Sequence, residues 1–310
     1  TASVEGQLWY NSTSSTYKIA MSGAGAWASD GTRNTLVQGT TAAGSQTAAI
    51  ASGGSTAPGP LTANAETYNG STWTEVANLN TARYKGCGAG TTTAALNIGG
   101  TDNLPPGKLA INELYNGTSW TEIANLLVAN TGQAQNVGIS TAALCVGSGS
   151  LPSQDSTESW NGTSWSEVAD LTTGRQDAAA SGLQGAALCF GGRAPSLGVD
   201  LTETWNGTSW AEVADLNTAR TAPGSAMAAS NTTSLCFGGG PPAVAVTESW
   251  NGTSWTEVGD LATARYKMGG AGTGTAALAI GGIVSGTPTI MGTTEVFDSP
   301  VYSVKTVTVS

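Results

Sequence analysis

The side chains of this chain that could do chemistry are carboxylates, and they come in pairs. Glu66, Glu113, Glu158, Glu203 and Glu248 each precede an Asn-Gly dipeptide, and Glu295 holds the same place in a sixth segment. Glu75, Glu122, Glu167, Glu212 and Glu257 follow the dipeptide. Two carboxyl groups flanking a glycosidic bond can act as general acid and as base or nucleophile, so glycan hydrolysis is the reaction such a pair would run. A catalytic pair is unique within a fold, however, whereas this one recurs in segment after segment. Repetition favours a scaffold role, and charge on outer strands discourages edge-to-edge aggregation. Other routes are closed. With no histidine in the chain, His-based triads, imidazole bases and imidazole-ligated zinc or copper are removed. No glycine-rich phosphate loop precedes a helix. Neither a cofactor, a metal nor catalytic activity is expected.

The elements that carry these glutamates repeat. TESWNGTSWTEVGD at 247–260 has close copies at 65–78, 112–125, 157–170 and 202–215, and its second tryptophan falls at Trp73, Trp120, Trp165, Trp210 and Trp255. Those steps of 47, 45, 45 and 45 residues have the period of a solenoid, propeller or array. Each repeat reads as four strands. A strand of small residues, such as GCGAG at 86–90 or AMAAS at 226–230, suits a crowded central axis. A second ends in glycine, at Gly53, Gly99, Gly147, Gly191, Gly238 and Gly281. After a variable loop come the third strand, an Asn-Gly turn with both residues expected at φ > 0, and W-x-E-V/I. Six copies predict an all-β, six-bladed propeller of four-stranded antiparallel blades, which closure would free of exposed end blades.

Composition agrees with that class. The chain has 310 residues, 43 glycines and only 10% charged residues, which suits an all-β protein better than a helical or disordered one. Its net charge of −10 argues against nucleic acid, since no basic patch would displace counterions from phosphates, and against an anionic membrane surface. No apolar run is long enough to span a bilayer. Of the 21 acidic residues, 14 belong to the repeat itself. Cys145, Cys189 and Cys236 share one repeat position. Equivalent positions on neighbouring repeats are too far apart to bridge, so these cysteines and Cys87 read as buried small hydrophobes.

Residues 1–26 stand outside the repeats, and GQLWYNSTSSTYKIA at 6–20 alternates as a hairpin does. Residues 27–310 form the propeller, with repeats near 37–78, 83–125, 131–170, 175–215, 220–260 and 265–310. The sixth repeat lacks a W-x-E-V strand. The segment around Trp27, one period ahead of Trp73, is expected to fill that place in preference to VYSVKTVTVS at 301–310.

A double glycine after an apolar strand, then an aromatic residue, a tryptophan about five positions on and a closing arginine together resemble the kelch repeat over residues 37–298. Arg83, Arg175, Arg220 and Arg265 hold the arginine place, while Val37 and the Asn130–Thr131 region depart from it. The resemblance implies a propeller without fixing its function. A kelch-like copper oxidase of the galactose oxidase kind would need the histidines this chain lacks. SWNGTSW resembles the Asp-box hairpin of sialidases but lacks the extra residue between Asn and Gly, and no unique arginine cluster accompanies it. GQLWYNSTSSTYKI and the near-identical repeats are similar to segments of tail-fibre and other virion proteins of tailed bacteriophages, particularly marine ones.

Asn69, Asn116, Asn161, Asn206 and Asn251 lie in N-x-S/T, which turn chemistry explains without glycosylation. Paired aromatics such as Trp160 and Trp165 could stack on sugars, though packing between blades is the plainer duty. What varies between repeats is the loop from second to third strand. These loops share a face with the fourth-to-first connections, opposite the uniform Asn-Gly turns. Dissimilar loops on a rigid scaffold are where binding residues sit, and the charged members Asp102, Lys108, Asp155, Arg193 and Asp200 are the candidates. The expectation is a non-enzymatic virion protein on an extracellular particle. It would be joined to other virion proteins through its N-terminal segment and would bind a host surface glycan or protein through the loop face. The alternatives are a glycan-modifying hydrolase and a capsid decoration protein without a receptor.

Overall fold

A computed structural model describes residues 8–11, 13, 16–21, 25–56, 59–102, 107–129, 135–147, 155–194, 197–285, 289–299 and 303–307. Six four-stranded antiparallel sheets succeed one another as the blades of a propeller. Blade one comprises Thr41–Ser45, Ala48–Ser52, Ala65–Tyr68 and Trp73–Val76, and blades two to five repeat that order. In blade six the strands Gly269–Thr273, Ala276–Ile280 and Thr293–Asp298 are joined by Ala26–Thr32 from the other end of the chain. Trp27 lies opposite Phe297 and Ser29 opposite Glu295. The N-terminal strand thus closes the ring, as the spacing of Trp27 and Trp73 predicts. The C-terminal strand Ser303–Val307 pairs instead with Thr16–Met21, which forms the expected hairpin with Leu8–Asn11. Both ends of the chain therefore meet in one small sheet outside the ring, where the exposed rings of Tyr10 and Tyr17 stand 5.3 Å apart.

Apolar clusters fill the junctions between successive blades. Outer-strand tryptophans do much of that filling. Trp27 packs on Phe237 of blade five, with ring centroids 4.8 Å apart, and its Nε1 donates to Thr247 Oγ1 at 3.0 Å. Trp255 does the same to blade four through Phe190 at 4.9 Å and Thr202 at 3.1 Å. These indoles are at most 9% exposed, so they offer no ring face to a sugar. The four cysteines are buried, and burial pushes the thiols of Cys87 and Cys236 up to about 12. A thiol held in that state is an inert small hydrophobe.

At the axis the inner strands come very close. A Cβ added to Gly88 or Gly270 would overlap the backbone carbonyl of the neighbouring inner strand, at Ala42 and Ser225 respectively. Small residues are therefore needed here for the ring to close. Blade five departs from the expected strand at 226–230. Its inner strand is only Gly224–Ser225, and the chain turns at Met227–Ala228.

The Asn-Gly connections also differ from expectation. They are four-residue loops in which the glycine alone takes φ > 0, as at Gly70 (98°) and Gly252 (95°). The asparagine holds the loop with its side chain: Asn206 Oδ1 accepts from the backbone N–H of Thr208 and of Ser209, both at 2.9 Å. This Asx geometry satisfies two donors at once. Asn206→Ala is expected to cost about 1 kcal/mol, visible as a small drop in the midpoint of denaturant unfolding with no change of slope.

Candidate functional site

The paired glutamates do meet. Glu66 lies opposite Glu75, Glu113 opposite Glu122, and the same register holds for Glu158 with Glu167, Glu203 with Glu212 and Glu248 with Glu257. In each described pair the first glutamate is buried and the second exposed. The buried carboxylate is already engaged. Glu113 accepts from the backbone N–H of Asn80 (2.7 Å) and Thr81 (3.2 Å) and from the Arg83 guanidinium at 2.5 Å. Arg175 with Glu203 repeats the ion pair at 2.8 Å, and Arg220 with Glu248 and Arg265 with Glu295 repeat it in their blades. The arginines also serve the double glycines: Arg83 donates to the carbonyls of Gly99 (3.2 Å) and Ile111 (2.7 Å). Each pair thereby fastens the connection entering a blade to that blade's second and third strands.

Blade one solves the departure at Val37 in another way. Arg33, four residues earlier, brings its guanidinium to Glu66 at 3.2 Å and is itself 2% exposed. In blade three Glu158 accepts the N–H of Leu127 (2.8 Å) and of Val128 (3.0 Å). Burial, reinforced by Glu167, raises its carboxyl above the ordinary range against the pull of those two donors.

A different constellation gathers on the axis. The fourth-to-first connections pass through the left-handed region at one repeated position: Gly39 (φ 58°), Lys85 (58°), Asp177 (50°), Ala222 (48°) and Lys267 (53°). Backbone hydrogen bonds link them from blade to blade. Lys85 N–H donates to Gly39 O at 2.8 Å, Gly39 N–H to Lys267 O at 2.8 Å, Lys267 N–H to Ala222 O at 3.2 Å, and Ala222 N–H to Asp177 O at 2.8 Å. Only glycine takes this conformation freely, so the non-glycine side chains are held there by that collar of hydrogen bonds. Below it lies a cavity of about 80 Å³ between the inner strands. That is room for a few waters. Above it a vestibule of about 280 Å³ opens, to which the loop residues Arg193, Gly240 and Pro241 contribute. The shared face of loops and connections expected from the repeat order is thus present, tied by the bridges Tyr84 to Thr101, Gln176 to Arg193 and Tyr266 to Ile283.

The charges at this mouth are unevenly matched. The Asp177 carboxylate faces Lys85 Nζ at 3.1 Å and Arg193 Nη2 at 3.4 Å, while Arg193 Nη2 also donates to Gln176 Oε1 at 2.7 Å. Lys85 and Lys267 sit over the rings of Tyr84 and Tyr266, at 5.6 Å and 5.5 Å. Burial holds the Lys267 ammonium below the ordinary lysine value. Lys85 and Arg193 push it the same way and Asp177 opposes them. Burial, with Asp177 and Tyr266, raises the Tyr84 phenol. Three cations thus gather about one carboxylate, which pairs with Lys85 and Arg193.

Of the residues expected on the loop face, Arg193 alone lines this vestibule. Asp102 and Lys108 are half-buried on their loop in blade two. Asp155 and Asp200, also half-buried, accept the N–H of Leu171 and Leu216 through their backbone carbonyls, both within 3.0 Å. Sequence reasoning misses Lys85, Asp177 and Lys267 because it counts only the second-to-third strand loops. A signal exists: each is a charged residue standing two places after a repeat arginine.

No protein-family model matches the chain, and no curated protein matches it. Among solved structures, that of YjhT is similar in fold, with a TM-score of 0.70 over 87% of this chain and 98% of that chain, at 13% sequence identity. At that identity the likeness shows the propeller fold alone.

Proposed function

We propose that this chain is a non-enzymatic virion protein of a tailed bacteriophage. In this reading it is a kelch-like propeller that binds a host surface glycan or protein through its loop face. The observation that carries the binding reading is the contrast between the two faces. One presents near-identical Asn-Gly-Thr-Ser loops, and the other presents dissimilar loops around a charged axial mouth. The buried glutamates support a non-catalytic reading, since each accepts hydrogen bonds from a connection and five of them are spent on arginines. The small sheet of Leu8–Asn11, Thr16–Met21 and Ser303–Val307 suits attachment to other virion proteins, because it is separate from the six blades. Nucleic acid and membrane insertion have no part in this reading.

The test is electron microscopy of the source particles with antibody against this chain. Label at the tail or its tip is the expected outcome. Label over the capsid would favour a decoration protein, and absence of label from particles would sink the virion reading. A turnover assay on host polysaccharide addresses the alternative of a glycan hydrolase: a binder retains the polymer at unchanged length.

A further inference from the structure

We infer that the axial mouth is an oxyanion subsite, in which Lys85, Arg193 and Lys267 together hold the sulfate or carboxylate of an acidic saccharide. The inference rests on the glycan-binding reading above and names the class of glycan. Its first support is the distribution of charge. In a chain of net charge −10 with 11 basic residues, five arginines are buried against glutamates. Three of the remaining six basic residues converge on one vestibule of about 280 Å³. A low-dielectric, concave mouth focuses such charge far more than an open surface does.

The second support is that the cluster is not neutralised from within. Asp177 is shared by Lys85 and Arg193. Lys267 Nζ has no ion-pair or hydrogen-bond partner among the described residues, and Arg193 Nε is buried without an acceptor. An entering oxyanion would supply acceptors to both, and charge-assisted hydrogen bonds of this kind are about twice as strong as neutral ones. The third support is placement. Lys85 and Lys267 occupy left-handed backbone positions where blade one uses Gly39. Backbone held in a sparsely populated region persists where the surrounding structure over-determines it, and such sites cluster at ligand clamps. The size of the vestibule suits one sugar residue rather than a folded partner. Tyr266 and Thr221 also line the vestibule and give it an aromatic ring and a hydroxyl beside the cations.

The test uses the full chain on immobilised sulfated galactan, alginate and neutral dextran, with titration of free sulfate and glucuronate alongside. Lys267→Ala copies the residue that blade five already carries at this position, Ala222, so folding should be retained, and a melting curve checks that it is. The expected result is retention of an acidic polymer but not of dextran, weakened about tenfold by Lys267→Ala or Arg193→Gln and strengthened by Asp177→Asn. Preference between galactan and alginate, matched by free sulfate or glucuronate, tells sulfate from carboxylate. Equal retention of dextran and acidic polymers, unchanged in Lys267→Ala and Arg193→Gln, would overturn the subsite and leave glycan binding standing. Failure of the native chain to retain any polymer would overturn the glycan reading itself.

Discussion

Glu113→Gln is expected to cost about 3–5 kcal/mol, enough to unfold a large share of molecules, because it leaves the Arg83 guanidinium buried without its counter-charge. Both side chains of the pair are fully excluded from solvent. The amide would keep one acceptor oxygen where the carboxylate now serves Asn80, Thr81 and Arg83, and would turn donors towards donors. The repeat provides its own control in Glu158, whose described partners are the backbone N–H groups of Leu127 and Val128. Glu158→Gln should cost far less. The two variants also differ in their dependence on pH. The Glu158 carboxyl is raised above its unfolded value, chiefly by burial. The native state therefore holds this proton more tightly than the unfolded chain does. Its contribution is fully present below the unfolded value and is lost as pH rises through the folded one. Native protein should thus lose stability relative to Glu158→Gln as pH is raised from about 4 to neutral. Denaturant unfolding of the three proteins at several pH values would check both claims. Equal cost for the two substitutions would contradict the assignment of the arginine pair as the main fastening.

Gly88→Ala is the second large effect expected, and the mildness of the change makes it informative. One methyl group at this position would collide with the carbonyl oxygen of Ala42 on the next inner strand. Backbone cannot step aside as a flexible side chain can, so the cost should exceed the 1–3 kcal/mol of ordinary overpacking and reach about 3–4 kcal/mol. Displacing one inner strand displaces its neighbours around a closed ring. The comparison is Gly185→Ala, where an added Cβ meets nothing within 4 Å. That change should stay within about 0.5 kcal/mol. Thermal melting of the pair separates crowding at the axis from any general effect of losing a glycine.

Much of the architecture is legible in the amino-acid sequence, for reasons that particular residues make plain. The tryptophan spacing, the terminal glycines of the second strands and the stray segment around Trp27 all reflect backbone requirements that recur in every blade, so repetition amplifies them. The details that escape are those a single blade solves alone. Arg33 reaches Glu66 from a position that holds a leucine in other blades, such as Leu79, and no matching of repeat to repeat would pair them. The Asn-Gly dipeptide suggests a two-residue turn, but the asparagine side chain stabilises a longer loop by accepting two N–H groups. The axial mouth is the hardest to foresee. Lys85, Asp177 and Lys267 lie far apart in sequence and become neighbours only through ring closure, which a linear reading of loop lengths does not bring to view. Arg193 is found through its variable loop, whereas Asp102, Lys108, Asp155 and Asp200 share that loop face without sharing the mouth.

The closing strand has a consequence for how the molecule is made. Ala26–Thr32 leaves a ribosome roughly 260 residues ahead of its partner Thr293–Asp298. At about 5–20 residues per second the early strand waits on the order of 15–50 s, with the Trp27 indole and one strand edge uncovered. During that wait it is open to pairing with another nascent chain, and exchange of this strand between two molecules would satisfy the same hydrogen bonds. Translation speed over the last blade, and not only the stability of the finished ring, should therefore set the yield of monomer.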